Sequence, residues 1–111
     1  MAQTFVKTLD LVDDPEIIAR YEEAHRHVWP EILEGIRSVG ITRMDIYRLG
    51  SRLVMVLEMP DELDYDQTFD KLARLPRQAE WEEYVGQFQI CNPGDTSAGK
   101  WKPMTKIFSL D

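Results

Sequence analysis

ITRMDIYRLGSRLVMVLEM, residues 41–59, reads as two strands folded back about a turn. Residues 41–48 and 52–59 are of strand length and rich in apolar and β-branched side chains, and Gly50-Ser51 between them is a hairpin signal. The second of the two strands is unusual. Leu53, Met55, Leu57 and Met59 alternate with Val54, Val56 and Glu58, so both of its faces are largely apolar. A sheet with helices on one side only should show a polar second face. Something must cover that face, and a second copy of the chain is the economical answer. A homodimer is therefore expected.

Outward from this hairpin the elements fall into a recognisable order. On its N-terminal side, residues 4–11 carry Phe5, Val6, Leu9 and Leu11 among polar residues and read as a first strand. Asp14-Pro15 supplies an N-cap and a first-turn proline. The helix that starts there is expected to reach about Ser38, with Gly40 near its C-terminal end. Beyond the hairpin, residues 64–73 and 77–88 form a second helical region interrupted at Pro76. Residues 92–102, with Pro93, Gly94 and Gly99, are expected to be a loop, and residues 104–110 a closing strand. The order is βαββαβ, an α+β ferredoxin-like arrangement with helices on one face of an antiparallel sheet. At 111 residues, 1–111 is read as one domain.

Composition narrows the partners. Twenty acidic and 13 basic residues give a formal charge of −7, the opposite of the basic stripe that nucleic acid requires. Such a balance fits a protein acting on a neutral small molecule. Cys91 is the single cysteine, so no disulfide can form within the chain. MAQTFVKTLD at the N-terminus lacks a basic start followed by an apolar run, and no apolar stretch approaches the ~20 residues needed to span a membrane. The expected location is the cytoplasm, without membrane contact.

The first helix carries the chemistry. At ~100° per residue, Tyr21, His25, Trp29, Ile32 and Ile36 all fall within about 60° of Ile18, so His25 lies in the apolar stripe. His27 falls on the opposite side, among Arg20, Glu23 and Glu34. One histidine should face inward and the other water. Periodicity alone leaves His25 as either a satisfied core histidine or a reactive one. Tyr21 one turn before it and Trp29 one turn after it line up a hydroxyl, an imidazole and an indole. Pro30 cannot bond to the carbonyl of Arg26 and should kink the helix beside them, opening space between helix and sheet.

The run Tyr21-Glu22-Glu23-Ala24-His25-Arg26-His27-Val28-Trp29-Pro30-Glu31 resembles the L-rhamnose mutarotase family, whose pattern is roughly Y-x-x-x-H-x-x-x-W-P-E. The resemblance continues through Gly40, Tyr47, residues 54–58, Trp81 and Asn92-Pro93, in the same order along nearly the whole chain. It implies a dimeric ferredoxin-like fold, no cofactor, and interconversion of the α and β anomers of L-rhamnose. Roles carry over to Tyr21 and His25 as catalytic residues and to Trp81 as a sugar-stacking one. Three departures bear on the sugar: Glu80-Trp81 where family members often have adjacent tryptophans, Asn92-Pro93-Gly94-Asp95 where they have an Asn-Pro-Asp-Asn-type loop, and residues 96–103 with Trp101. L-fucose, another 6-deoxy-L-sugar, is a candidate beside L-rhamnose.

The residue types suit the reaction. Mutarotation delivers a proton to the ring oxygen and removes one from the anomeric hydroxyl, and closure reverses both. Histidine, with an ordinary pKa of ~6.5, switches protonation in the useful range. No hydride moves, and the chain carries neither a Gly-rich nucleotide fingerprint nor a metal-ligand cluster. His25 is expected to act as acid toward the ring oxygen, with Tyr21 as its partner or second proton carrier. Trp29 or Trp81 could stack on the sugar, the alternative being core packing. Asn92 and Asp95 could bind hydroxyls, although turn chemistry favours the same residue types. Glu58 is expected in a structural ion pair rather than the pocket, and Arg43, Asp45 and Tyr47 share a strand face that could reach the pocket or a dimer seam. Two rival readings remain at this level. One is another cofactor-free enzyme on the same fold, such as a lactone isomerase or monooxygenase. The other is a non-catalytic, metabolite-binding dimer.

Overall fold

The computed structural model describes residues 2–92 and 95–110, with backbone only at Ser97. Its elements are β1 (Ala2–Asp10), α1 (Pro15–Arg26), α2 (Pro30–Ser38), β2 (Arg43–Leu49), β3 (Arg52–Pro60), α3 (Tyr65–Ala73), α4 (Gln78–Gly86), α5 (Ser97–Lys100) and β4 (Lys102–Pro103). The four strands form one sheet in the order β2-β3-β1-β4, antiparallel throughout. This is the ferredoxin-like α+β arrangement expected from the sequence. Among the described residues no helix is long and apolar enough to cross a membrane.

The hairpin behaves as read. Leu49 pairs with Arg52, leaving Gly50-Ser51 as a two-residue turn, and Gly50 takes the positive φ of 59° that such a turn favours. On β3, Leu53, Met55, Leu57 and Met59 are buried beneath the helices, joined there by Leu9 of β1 and Ile32, Phe69, Leu72, Trp81 and Val85 of the helices. Val54 and Val56 point to the other face, beside Val6 of β1 and Tyr47 of β2, which are 37% and 56% exposed. That face carries an apolar centre at Val6, Val54 and Val56, bordered by Thr4, Thr8, Arg43, Asp45 and Glu58, and is uncovered within the chain.

Local chemistry sets the helix boundaries. Asp14 accepts from the backbone N–H of Glu16 at 2.9 Å and of Ile17 at 3.3 Å, capping α1 ahead of Pro15. Asp64 caps α3 by accepting from the N–H of Gln67 at 2.9 Å. Gly40 has φ +100°, a backbone conformation that favours glycine, and a Cβ there would lie 2.6 Å from Leu63 Cδ1, so the tip of that side chain would have to shift.

Besides the short α5 (Ser97–Lys100), which takes up part of the loop expected over 92–102, two expectations are corrected. The first helix does not bend at Pro30; it ends. His27 and Trp29 leave helical geometry (ψ 48° and 136°), and α2 starts afresh at Pro30. A proline drives the preceding residue into extended backbone, so Trp29 cannot stay in the helix. The closing strand is the second correction. Pairing to β1 is confined to Lys102 and Pro103, followed by one bond from Met104 N–H to Val6 O at 2.9 Å, and residues 104–110 form no strand. Pro103 has no N–H to give the ladder. Ile107, Phe108 and Leu110 are 94%, 76% and 90% exposed, so the apolar pattern there is real but has no neighbour within the chain.

Candidate active site

The end of α1 brings two titratable rings together at a cavity. Tyr21 and His25 are one helical turn apart, their ring centroids 4.3 Å from each other. His25 Nδ1 lies 2.9 Å from the backbone carbonyl oxygen of Tyr21. A carbonyl can only accept, so Nδ1 carries the hydrogen and donates it. In the neutral ring the lone pair is then on Nε2. Burial holds the imidazole below its ordinary range, outweighing the opposing pull of that hydrogen bond and of the Glu82 charge. His25 is accordingly set as a neutral base near pH 7.

Tyr21 is 3% exposed, and its hydroxyl accepts from Gln89 Nε2 at 3.3 Å. Burial pushes its pKa up to about 12, so the phenol keeps its proton and can donate it. Trp81 meets His25 edge-on at 5.5 Å. Beneath these three rings lies a cavity of about 700 Å³, between the helices and the sheet and reaching the β2 edge. Such a volume falls in the range of small-molecule sites. Ile32, Met55, Phe69 and Trp101 supply apolar lining, and Gln78, Glu82, Gln89 and Lys100 supply polar lining.

The other sequence candidates are distributed around this centre. Tyr47 borders the cavity at the β2 edge, with its side chain on the outer face of the sheet opposite Val54. Trp29 stands behind Trp81 at 5.2 Å, with the Arg77 guanidinium 4.2 Å from its ring, rather than lining the cavity. Asn92 and Asp95 line a second cavity of about 540 Å³ and bond to each other: Asn92 N–H donates to Asp95 Oδ2 at 2.8 Å and Asp95 N–H to Asn92 O at 3.1 Å. Pro93 and Gly94 of that loop lie outside the described residues. Glu58 pairs with Arg43 at 2.9 Å, and Arg43 also holds Asp45 at 2.6 Å. His27 is in water, 75% exposed and 3.0 Å from Glu23. Among the described residues no group of three His, Cys, Asp or Glu side chains could hold a metal.

Sequence reading missed Gln78, Glu82, Gln89 and Lys100. The signal was present for three of them. Gln78, Trp81, Glu82, Val85, Phe88 and Gln89 recur at helical spacing, so three polar residues share the inward stripe of α4 and its exit.

A ferredoxin-like fold that holds an imidazole, a phenol and an indole around a small half-polar cavity defines an acid/base site for a small neutral molecule. Comparison with known proteins is specific. The family model for L-rhamnose mutarotase matches residues 4–110, and the chain belongs to that family. An L-fucose mutarotase of Xanthomonas campestris pv. campestris is 36% identical over 110 residues, 97% of this chain and 88% of that protein. The protein is thus a carbohydrate isomerase, a sugar mutarotase. The crystal structure of an L-rhamnose mutarotase from Formosa agariphila shares the fold with a TM-score of 0.75 at 15% identity, covering 98% of this chain and 99% of that one. A dimeric ferredoxin-like protein from an uncultured marine organism matches with a TM-score of 0.59 at 14% identity, covering 99% and 93%.

Proposed function

We propose that His25 and Tyr21 carry out the proton transfers of mutarotation on a 6-deoxy-L-hexose, His25 as base and Tyr21 as acid in the opening step. The observation that carries this is the Nδ1 bond to the Tyr21 carbonyl, which leaves a neutral ring with its lone pair on Nε2. In opening, the anomeric hydroxyl gives its proton to Nε2, the C1–ring-oxygen bond breaks, and the ring oxygen takes the Tyr21 proton. C1 becomes an aldehyde. Rotation about C1–C2 presents its other face; the C5 hydroxyl then returns its proton to Tyr21 as it attacks, and His25 reprotonates the anomeric oxygen. The order reverses the acid role expected for His25 from sequence, because burial keeps the imidazole neutral. Gln89, donating to Tyr21, supports the phenolate that forms transiently.

Trp81, 6% exposed against the cavity, is the proposed stacking surface for the sugar's apolar face, whereas Tyr47, on the outer sheet face with Val54, is assigned to the dimer face. Trp29 supports Trp81 from behind, and Asn92 and Asp95 are assigned to their mutual turn. The 36% identity to an L-fucose mutarotase favours L-fucose, and the family's name carries L-rhamnose. The same proposal takes 1–111 as one mutarotase domain acting in the cytoplasm as a homodimer, supported by the uncovered face around Val6, Val54 and Val56. Saturation-transfer NMR of anomer exchange on both sugars tests it. Accelerated exchange that His25→Ala removes is expected; exchange at the spontaneous rate for both sugars rejects it.

A further inference from the structure

Arg77 holds a backbone conformation that its residue type disfavours. It stands between α3 and α4 with φ 66° and ψ 0°, the single non-glycine residue of positive φ among the described residues. A Cβ makes that region costly, and glycine or asparagine occupies it more readily. Arg77 is also the N-cap of α4, but its side chain makes no capping bond. Neither the turn nor the cap accounts for an arginine here.

What arginine adds is reach. Its Nη1 donates to Oε2 of Glu31 on α2 at 2.9 Å, and its Nη2 lies 3.7 Å from Glu80 Oε2. These side chains are 42–64% exposed, and ion pairs so exposed contribute little by themselves. The same guanidinium, though, lies over the ring of Trp29, its carbon 4.2 Å from the ring centre. Trp29 in turn meets Trp81 edge-on at 5.2 Å. A second route leads from Arg77 to the same indole. Its carbonyl accepts the backbone N–H of Trp81 at 3.0 Å, in the first turn of α4. One residue thus ties down both the main chain of Trp81 and the ring that backs its indole.

Strained residues persist where their surroundings over-determine them, and they concentrate at active sites and ligand clamps. We propose that Arg77 is a positioning residue for sugar binding, setting the indole of Trp81 through Trp29 while touching no sugar atom itself. Its left-handed backbone directs the guanidinium back toward Trp29, and Glu31, two residues after Trp29, holds it there. The inference rests on the mutarotase reading above and on the stacking role given to Trp81.

The test uses Arg77→Gly, which removes the guanidinium, relieves the strain and keeps the carbonyl, with Arg77→Asn as a second variant. Trp29→Ala and the double variant Arg77→Gly/Trp29→Ala complete a cycle. Arg74→Ala is the control, a side chain 77% exposed and paired only with Asp70 in the ion pairs of the structure. Anomer exchange by NMR on L-fucose and L-rhamnose gives kcat and KM, thermal melting follows stability, and fluorine NMR of fluorotryptophan-labelled protein follows the Trp81 ring. Both Arg77 variants should melt close to the wild type, yet raise KM roughly twofold to tenfold with kcat kept. The Trp81 resonance should shift or broaden while that of Trp101 stays. Because Arg77 acts through Trp29, the double variant should have no higher KM than Trp29→Ala alone. An unchanged KM in a folded Arg77 variant overturns the proposal, as does a double variant whose penalty is the product of the single ones. Failure of both Arg77 variants to fold overturns it too, assigning the residue to structure. A wild-type protein silent on both sugars rejects the reaction itself, and this role for Arg77 falls with it.

Discussion

His25 Nδ1 and the Tyr21 carbonyl oxygen, 2.9 Å apart, fix which nitrogen of the imidazole is available for chemistry. With burial holding the ring below its ordinary value of 6.5, the neutral form is the resting one. The kcat/KM profile should therefore rise with pH through a single midpoint below 6.5 and stay level into the alkaline range. Proton NMR titration should place His25 below the ordinary histidine value of 6.5. Stability follows the same linkage. The unfolded chain takes up the proton near 6.5 and folded His25 only lower, so this contribution is complete above 6.5 and is lost as pH falls through the folded pKa. A midpoint above 6.5 would refute the assignment.

His25→Ala should remove about 10²–10⁴-fold of the acceleration, the usual share of general acid–base catalysis. His27→Ala should change little, since that side chain is 75% exposed and pairs with the helix-surface acid Glu23. Equal effects from the two substitutions would dissociate the cavity from the reaction.

Tyr21 gives a signature at the other end of the scale. Its pKa is raised to about 12, so the folded state resists ionisation that the unfolded chain accepts near 10. The stability this represents is complete below pH 10 and lost as pH rises to 12. A two-unit shift corresponds to roughly 2–3 kcal/mol. Tyr65 is raised to about 12 as well, so Tyr21→Phe should remove only part of the alkaline loss measured by denaturant unfolding at pH 9 and 11. The same variant should also slow mutarotation, because the acid for the ring oxygen is gone.

The sequence made the fold legible because its punctuation is local. Asp14-Pro15, Gly40, Gly50-Ser51, Asp64 and Pro76 each act on their immediate neighbours, and the structure uses every one. Inward placement of Tyr21 and His25 followed from the 3.6-residue period within one unbroken helix. Trp29 fell outside that reasoning, because the break before Pro30 resets the phase. Residues 104–110 misled for a different reason: an apolar pattern shows that burial is available, not which surface supplies it. Glu82 and Lys100 meet only in the folded chain, where α3 packs against both α4 and α5, and no single-element pattern points to that.

Trp29 touches Trp81 at 5.2 Å and is itself covered by Arg77, so it should matter at one remove. Aromatic and cation–π contacts of this kind are worth about 0.5–1.5 kcal/mol each. Trp29→Ala should then raise KM by roughly threefold to tenfold through a loosened Trp81, with kcat largely kept. Trp81→Ala should cost more in KM, as the ring lines the cavity itself. A Trp29→Ala effect confined to kcat would place that indole against the reacting atoms instead.

The uncovered sheet face predicts the assembly. Val56 pairs across to Val6 on one side and Asp45 on the other, within the small apolar centre of the outer surface. A lysine there would find Asp45 within its own sheet, so Val56→Lys should fold as a monomer with little loss of stability. In a dimer built on this face the same charge would be desolvated at the middle of the interface, where charged residues are depleted. A stable interface needs about 1,200 Å² or more of total buried surface, and the exposed Val6, Tyr47 and Leu49 would supply apolar area to it from this face. Sedimentation at micromolar concentration should give a dimer for the wild type and a monomer for Val56→Lys. A monomeric wild type, or a variant still dimeric, would leave the face exposed and move the interface elsewhere.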